Sequence, residues 1–276
     1  MTAGFKTRAS NPAANRGVTM VELLVAVTLG LLITIVIAQL FLGSRQTFAT
    51  TDDISRMQDN IRYTQQLLIR TIHLASYKSQ PNSVTSSIFS GPTAALGAIN
   101  GAGTASDSIT IRYQGSGDKS SDLINCKSTT PPSCTGADGL AVDCLGVRID
   151  AGMMAENTFS IAPGADGNNA LYCNNGVHNV EIVPDVENMQ ILFGEDTDGD
   201  LVADRYLPPD ATNHDKVVSV RIALLFQTPT ATSKVTPDLV TTYDMLNDGT
   251  IVLGPYNDRR IRRLVTTTIN LRNRTP

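Results

Sequence analysis

Tryptophan is absent, and seven Phe and seven Tyr are the only aromatic side chains in 276 residues. Such a chain has little from which to build a thick aromatic core and suits a thin sheet braced by other means. The three histidines, His73, His178 and His214, stand in no HExxH pattern. Walker A, GxSxG and a GxGxxG following a strand are also missing, so the sequence offers no nucleophile, zinc or phosphate constellation and is not expected to be an enzyme. His214 and Asp215 are adjacent, but no activated Ser or free Cys accompanies them. A basic excess is lacking as well: 22 Lys and Arg face 26 Asp and Glu, a net charge of −4, which argues against a nucleic-acid binder. The length excludes a disulfide-only miniprotein or a wholly disordered chain.

Charge is missing where it matters most. Mean hydropathy is −0.04 over the whole chain, yet Met20 to Gly43 holds one charge, Glu22, and one amide, Gln39. The 17 residues before Val18 carry Lys6, Arg8 and Arg16 and no acid; without them 19 basic residues face 26 acidic ones, a net charge of −7. The average thus hides a basic leader, an apolar segment and an acidic remainder.

The four cysteines, Cys126, Cys134, Cys144 and Cys173, lie in Gly/Ser/Asn-rich sequence downstream of the apolar segment. Paired CxxC spacing is lacking, which favours two disulfides in an oxidising compartment over a thiolate zinc site. Of the three pairings, Cys126 with Cys134 and Cys144 with Cys173 close the shortest loops and cost least.

A basic stretch followed by an apolar one superficially suggests a secretory signal. The run is about twice the roughly 7–15 residues of such a segment and no A-x-A-like site follows. At about 1.5 Å per residue it reaches about 36 Å, enough to cross a hydrocarbon core of about 30 Å. The basic residues before it are expected to place the N-terminus in the cytoplasm and the bulk of the chain outside it. Glu22 is the exception inside this run: at the headgroup boundary it would complement the helix dipole, and deeper in lipid it would need a partner.

Arg16, Gly17 and Glu22, with Glu22 fifth after Gly17, form an arrangement that resembles the class III signal of type IV prepilins. The resemblance implies cleavage by a prepilin peptidase between Gly17 and Val18, methylation of the new N-terminus, and a filament-assembly role for Glu22 paired with the ammonium of a neighbouring subunit. The family most often begins with Phe, and Val18 departs from that. Further on, DCLG around Cys144, LYC around Cys173, the FGEDTDGD turn and the closing RRLVTTTINLRNR are similar to the PilW class of minor pilins, from Gly17 onward except for residues 79–139. This implies a low-abundance subunit at the inner membrane and then on the surface pilus. Its implied partners are other minor and major pilins in a priming or tip complex, with a large adhesin presented for adhesion and twitching motility.

Apolar residues continue past Gly43 at three- and four-residue steps, through Phe48, Ile54, Met57, Ile61, Leu67, Leu68 and Ile72, so one helix is expected from Met20 to about Tyr77. Alternating runs at 108–115, 157–162, 170–173, 178–183, 187–194, 217–228 and 264–273 predict strands. The fold class is therefore α+β, a long N-terminal helix packed on an antiparallel sheet with disulfide-held loops, as in type IV pilins. The expected divisions are 1–17 leader, 18–43 membrane and filament-core half-helix, 44–78 amphipathic half-helix, and 79–276 periplasmic domain.

Asp196, Asp198, Asp200 and Asp204 stand at positions one, three, five and nine of a loop, a calcium-ligand spacing, with the Val202 carbonyl at position seven. Gly199 at position four, Leu201 at the sharp-turn position and Leu207 at position twelve exclude a full EF-hand. A solvated acidic turn is the other reading. The basic run 258–263 reads either as a guarded strand edge or as a surface for an acidic partner. Two alternatives to the minor pilin stay open: a minor pseudopilin of type II secretion, and a calcium-responsive adhesive module presented through loops 79–139.

Overall fold

The computed structural model describes residues 17–77, 96–115, 141–149, 154–229 and 241–273. The chain divides into two compact units, Met1–Ala49 and Thr50–Pro276. Helix α1, Met20–His73, runs through the boundary. It stops four residues short of the expected end because the chain turns at Ser76, which adopts a left-handed backbone with φ 65°. Ser76 N then donates to Arg112 O, and Gln114 N to Tyr77 O. The exposed carbonyls at the helix end are met by Asn273, whose Nδ2 donates to His73 O at 2.8 Å, as open helix ends require.

In the second unit, strands β1 Leu96–Ile99, β2 Ser108–Gln114, β3 Met154–Pro163, β4 Asn169–Asn174 and β5 Asn179–Pro184 form an antiparallel meander in chain order. Strands β6 Val186–Glu195, β7 Arg205–Leu207, β8 Val217–Gln227 and β11 Arg262–Asn270 form a second sheet, ordered β11-β8-β6-β7. The hairpin β9 Thr241–Asp244 and β10 Val252–Tyr256 pairs only with itself. Two sheets thus replace the single one expected. The break falls at Asp185, a one-residue left-handed corner with φ 61° after Pro184, where the chain leaves β5 and enters a different sheet.

Ile109, Ile111, Tyr113, Phe159, Leu171 and Cys173 from the first sheet form one buried cluster with Met57, Ile61, Leu68 and Ile72 of α1. Met189, Ile191 and Phe193 of β6 and Val220, Ile222, Leu224 and Phe226 of β8 join it from the second. Intervening residues Leu192, Ala223 and Leu225 point the other way and are covered by Met245, Leu246 and Leu253 of the β9–β10 segment. β6 and β8 are therefore covered on both faces, which is why their sequences read as near-continuous apolar runs. Asp107 clips the sheets together: its carboxylate accepts from Gly101 N and Ile191 N, both at 2.7 Å, and its own N–H donates to Met189 O.

Candidate functional site

Gly17, Val18 and Thr19 precede α1 and are exposed. Thr19 supplies a cap that the reading of Glu22 alone overlooked: Glu22 N donates to Thr19 Oγ1 at 3.3 Å, and Leu23 N to Thr19 O. The T-x-x-E spacing that signals such a cap was present in the sequence. Glu22 therefore occupies the first turn, where a carboxylate complements the dipole.

The apolar half of α1 has an 18-residue window of mean hydropathy 2.7 in which no residue is buried. Leu23, Leu31, Ile37 and Phe41 are each more than half exposed. A patch of this extent is covered in the cell by lipid or protein. Thr28, Thr34 and Thr47 turn their hydroxyls back onto helix carbonyls three or four residues earlier, which leaves them compatible with an apolar surround.

Between β6 and β7 lies the acidic loop. One carboxylate oxygen each from Asp196, Asp198 and Asp204 falls within 4.8 Å of the others. Asp196, nearly buried, accepts from Gly199 N at 2.6 Å and Leu201 N at 2.8 Å. Asp204 accepts from Thr197 N and Oγ1. These donors hold both carboxyls below the usual range. Asp200 stands outside the trio and accepts from Val202 N at 2.8 Å. Leu201, at the position where an EF-hand has glycine, takes φ 64°. Glu195 beside them is a fastener: Arg205 Nε and Nη2 both donate to its Oε2, and Asn213 N donates to Oε1.

Cys144 and Cys173 are joined, tying the 141–149 segment to β4. Cys144 N also donates to Asn157 Oδ1 at 2.7 Å. Cys126 and Cys134, with most of loops 79–139, lie outside the described residues. His214 packs edge-on against Phe193 at 5.4 Å, a packing contact. The basic run 258–263 does not form one surface. Arg262 is buried against Glu187 and Asp258, and Arg260 donates to Asn168 Oδ1.

The described chain thus joins an exposed apolar half-helix, an amphipathic half buried on antiparallel sheets, and a disulfide-tied loop. Residues 158–273 match the family of Type IV Pilus-assembly protein W, PilW. The likeness to the PilW class holds over that stretch, β3 to the end of the described chain, and marks a type IV pilus-related pilin; Gly17, α1 and Cys144 lie before it. Among solved structures, the type IV-like pilin TTHA1219 from Thermus thermophilus is similar at 15% identity and a TM-score of 0.42, with 79% of this chain and 98% of that chain covered. So loose a likeness transfers no residue role. No curated protein matches the chain.

Proposed function

We propose that the chain is a minor pilin that helps initiate type IV pilus assembly within a priming or tip complex of minor pilins. In this reading a prepilin peptidase cleaves between Gly17 and Val18, the apolar half of α1 passes from the inner membrane into the filament core, and the β-rich unit meets its neighbours from the periplasmic side. The observation that carries it is the fully exposed apolar half of α1 in a chain whose residues 158–273 are of the PilW type. A carboxylate at Glu22 would be stabilised in that core by an ammonium partner and would help set register. A deletion strain tests it: surface pili and twitching should be lost, and restored by the intact gene but not by Glu22→Ala. Normal piliation with failed protein secretion would instead assign the chain to a type II secretion machine.

Convergence of Asp196, Asp198 and Asp204 supports a second, independent proposal, that the loop takes calcium, with hard oxygen ligands suited to that ion. Calcium should raise the melting temperature of the wild-type chain in detergent and leave an Asp198→Asn variant unmoved. Absence of any shift at millimolar calcium leaves a solvated acidic turn.

A further inference from the structure

Asparagine followed by glycine occurs twice, at Asn100–Gly101 and Asn175–Gly176. In such a pair the glycine N can close a succinimide ring on the asparagine side chain, since no Cβ hinders the approach. The two pairs are held in opposite ways. Gly101 N donates at 2.7 Å to the buried carboxylate of Asp107, an anion that opposes loss of the amide proton. Its backbone is also wedged, because a Cβ at Gly101 would run into Ala105 O. Gly176 lies exposed in the turn between β4 and β5 with φ 87°, and no described atom stands within 4 Å of where its Cβ would be. Its N donates to a neutral acceptor, Asn174 Oδ1, at 2.8 Å.

The Asn175 side chain supplies the electrophile. Its Oδ1 accepts from Val177 N at 3.0 Å and from His178 N at 2.8 Å, two backbone donors aimed at the oxygen that turns anionic when Cγ is attacked. Nδ2, the leaving nitrogen, donates to Asp143 Oδ2 at 2.6 Å. The same Asp143 organises the disulfide-tied segment, its Oδ1 accepting from Leu145 N and Val147 N. One amide group therefore joins the β4–β5 turn to the 141–149 segment.

We propose that Asn175 is a site of spontaneous deamidation, with Asn100 spared, and that its conversion loosens the 141–149 segment. Gly176 N gives its proton to hydroxide and bonds to Asn175 Cγ; the tetrahedral oxyanion collapses, the Cγ–Nδ2 bond breaks, and ammonia departs with a proton taken from water. Water then opens the succinimide to an aspartyl or isoaspartyl residue, so one water is consumed and one ammonia lost. A carboxylate now faces Asp143 where an N–H donor stood, and like charges so close repel. This chemistry is local to the turn and does not depend on what the chain assembles into.

Incubating the full-length chain in detergent micelles at mildly alkaline pH in heavy-oxygen water, followed by digestion and tandem mass spectrometry, tests it. Asn175 should take up heavy oxygen about tenfold faster than Asn100, the rate equivalent of one charge-assisted hydrogen bond. In concentrated urea, where neither pair keeps its contacts, the two rates should agree. Hydrogen exchange at Leu145 and Val147 should quicken about fivefold in Asn175→Asp and stay as in the wild type in Asn100→Asp. Equal rates in the folded chain, faster conversion at Asn100, or an Asn175 that converts in urea but not when folded would overturn the site. Unchanged exchange at Leu145 and Val147 in Asn175→Asp would overturn the loosening.

Discussion

Arg262 lies with its guanidinium carbon 3.6 Å from the centroid of the Tyr256 ring. On its other sides the guanidinium donates to Glu187 at 2.6 Å and to both oxygens of Asp258 at 2.6 and 2.7 Å. One buried cation thus ties β10 and the segment after it to the central sheet, and keeps the β9–β10 hairpin over Leu192, Ala223 and Leu225.

Replacing Arg262 by Ala leaves Glu187 without its guanidinium and Asp258 with only the longer Arg260 contact at 3.8 Å, and should cost about 3 kcal/mol. Lys, a point charge that cannot serve both carboxylates in the same plane, should recover only part. Arg262 holds Asp258 down to about 2. With the folded value below the unfolded one, the stabilisation is present above about pH 3.9 and is lost as pH falls through about 2. Urea unfolding from pH 5 to 2 should show this loss in the wild-type chain and a smaller loss in Arg262→Ala, where Arg260 still donates its N–H to Asp258 and lies 3.8 Å from it.

Asp107 has the opposite sign. Burial pushes its carboxyl up despite the N–H groups of Gly101 and Ile191. Its contribution is therefore greatest below about pH 3.9 and declines as pH rises through the raised folded value. Asp107→Ala leaves two N–H donors without their acceptor and should cost about 2–3 kcal/mol. Asp107→Asn should cost less, and the margin of the wild-type chain over it should shrink as pH rises. A margin that grows with pH would refute the burial assignment.

These two residues also mark where the sequence was legible. β6 and β8 were visible because burial on both faces demands apolar runs, and the amphipathic half of α1 because Met57, Ile61, Leu68 and Ile72 keep helical spacing. β1, β7 and β10 carry at most one β-branched residue in three to five positions, and β9, though it holds two Thr and a Tyr, is only four residues long, so none announces itself. Gly194 shows the kind of signal that stays silent: a Cβ there would run into Ser219 Oγ and, at 2.7 Å, into Ala203 Cβ, so glycine is needed where the acidic loop folds back over β6. The break between the two sheets falls at Asp185, in the left-handed region, a backbone turn that hydrophobic periodicity does not announce. Arg262 read as one member of a charged run because burial of a single arginine leaves no periodic trace. Of the site, the Gly17 and Glu22 spacing and the Asp ladder were plain, whereas the separation of Asp200 from the other three depends on how the loop closes.

The Cys144–Cys173 link closes a separation of 29 residues, and its removal should cost about 3–4 kcal/mol through the entropy of the unfolded chain. Cys144→Ser with Cys173→Ser should shift the urea midpoint accordingly. Faster exchange of the amides at 141–149 should accompany the shift, because Cys144 N–H and its Asn157 acceptor would lose the covalent tie that positions them. A midpoint unchanged by the double substitution would mean that Asn157 and Asp143 hold that segment without it.

Thr19 tests whether the start of α1 is set locally. Its hydroxyl takes the Glu22 N–H, one of the four amides that a helix leaves open at its N-terminus, and Thr19→Ala should loosen the first turn by about 1 kcal/mol. Hydrogen exchange in detergent micelles should then quicken about fivefold at Val21 to Leu23 and stay unchanged beyond Val27, where the ladder is complete. Thr19→Ser should behave as the wild type, since it keeps the acceptor oxygen. If Ala and Ser give the same profile, the first turn is held by the apolar surround and not by the cap, and Glu22 owes its place in that turn to helix propagation alone.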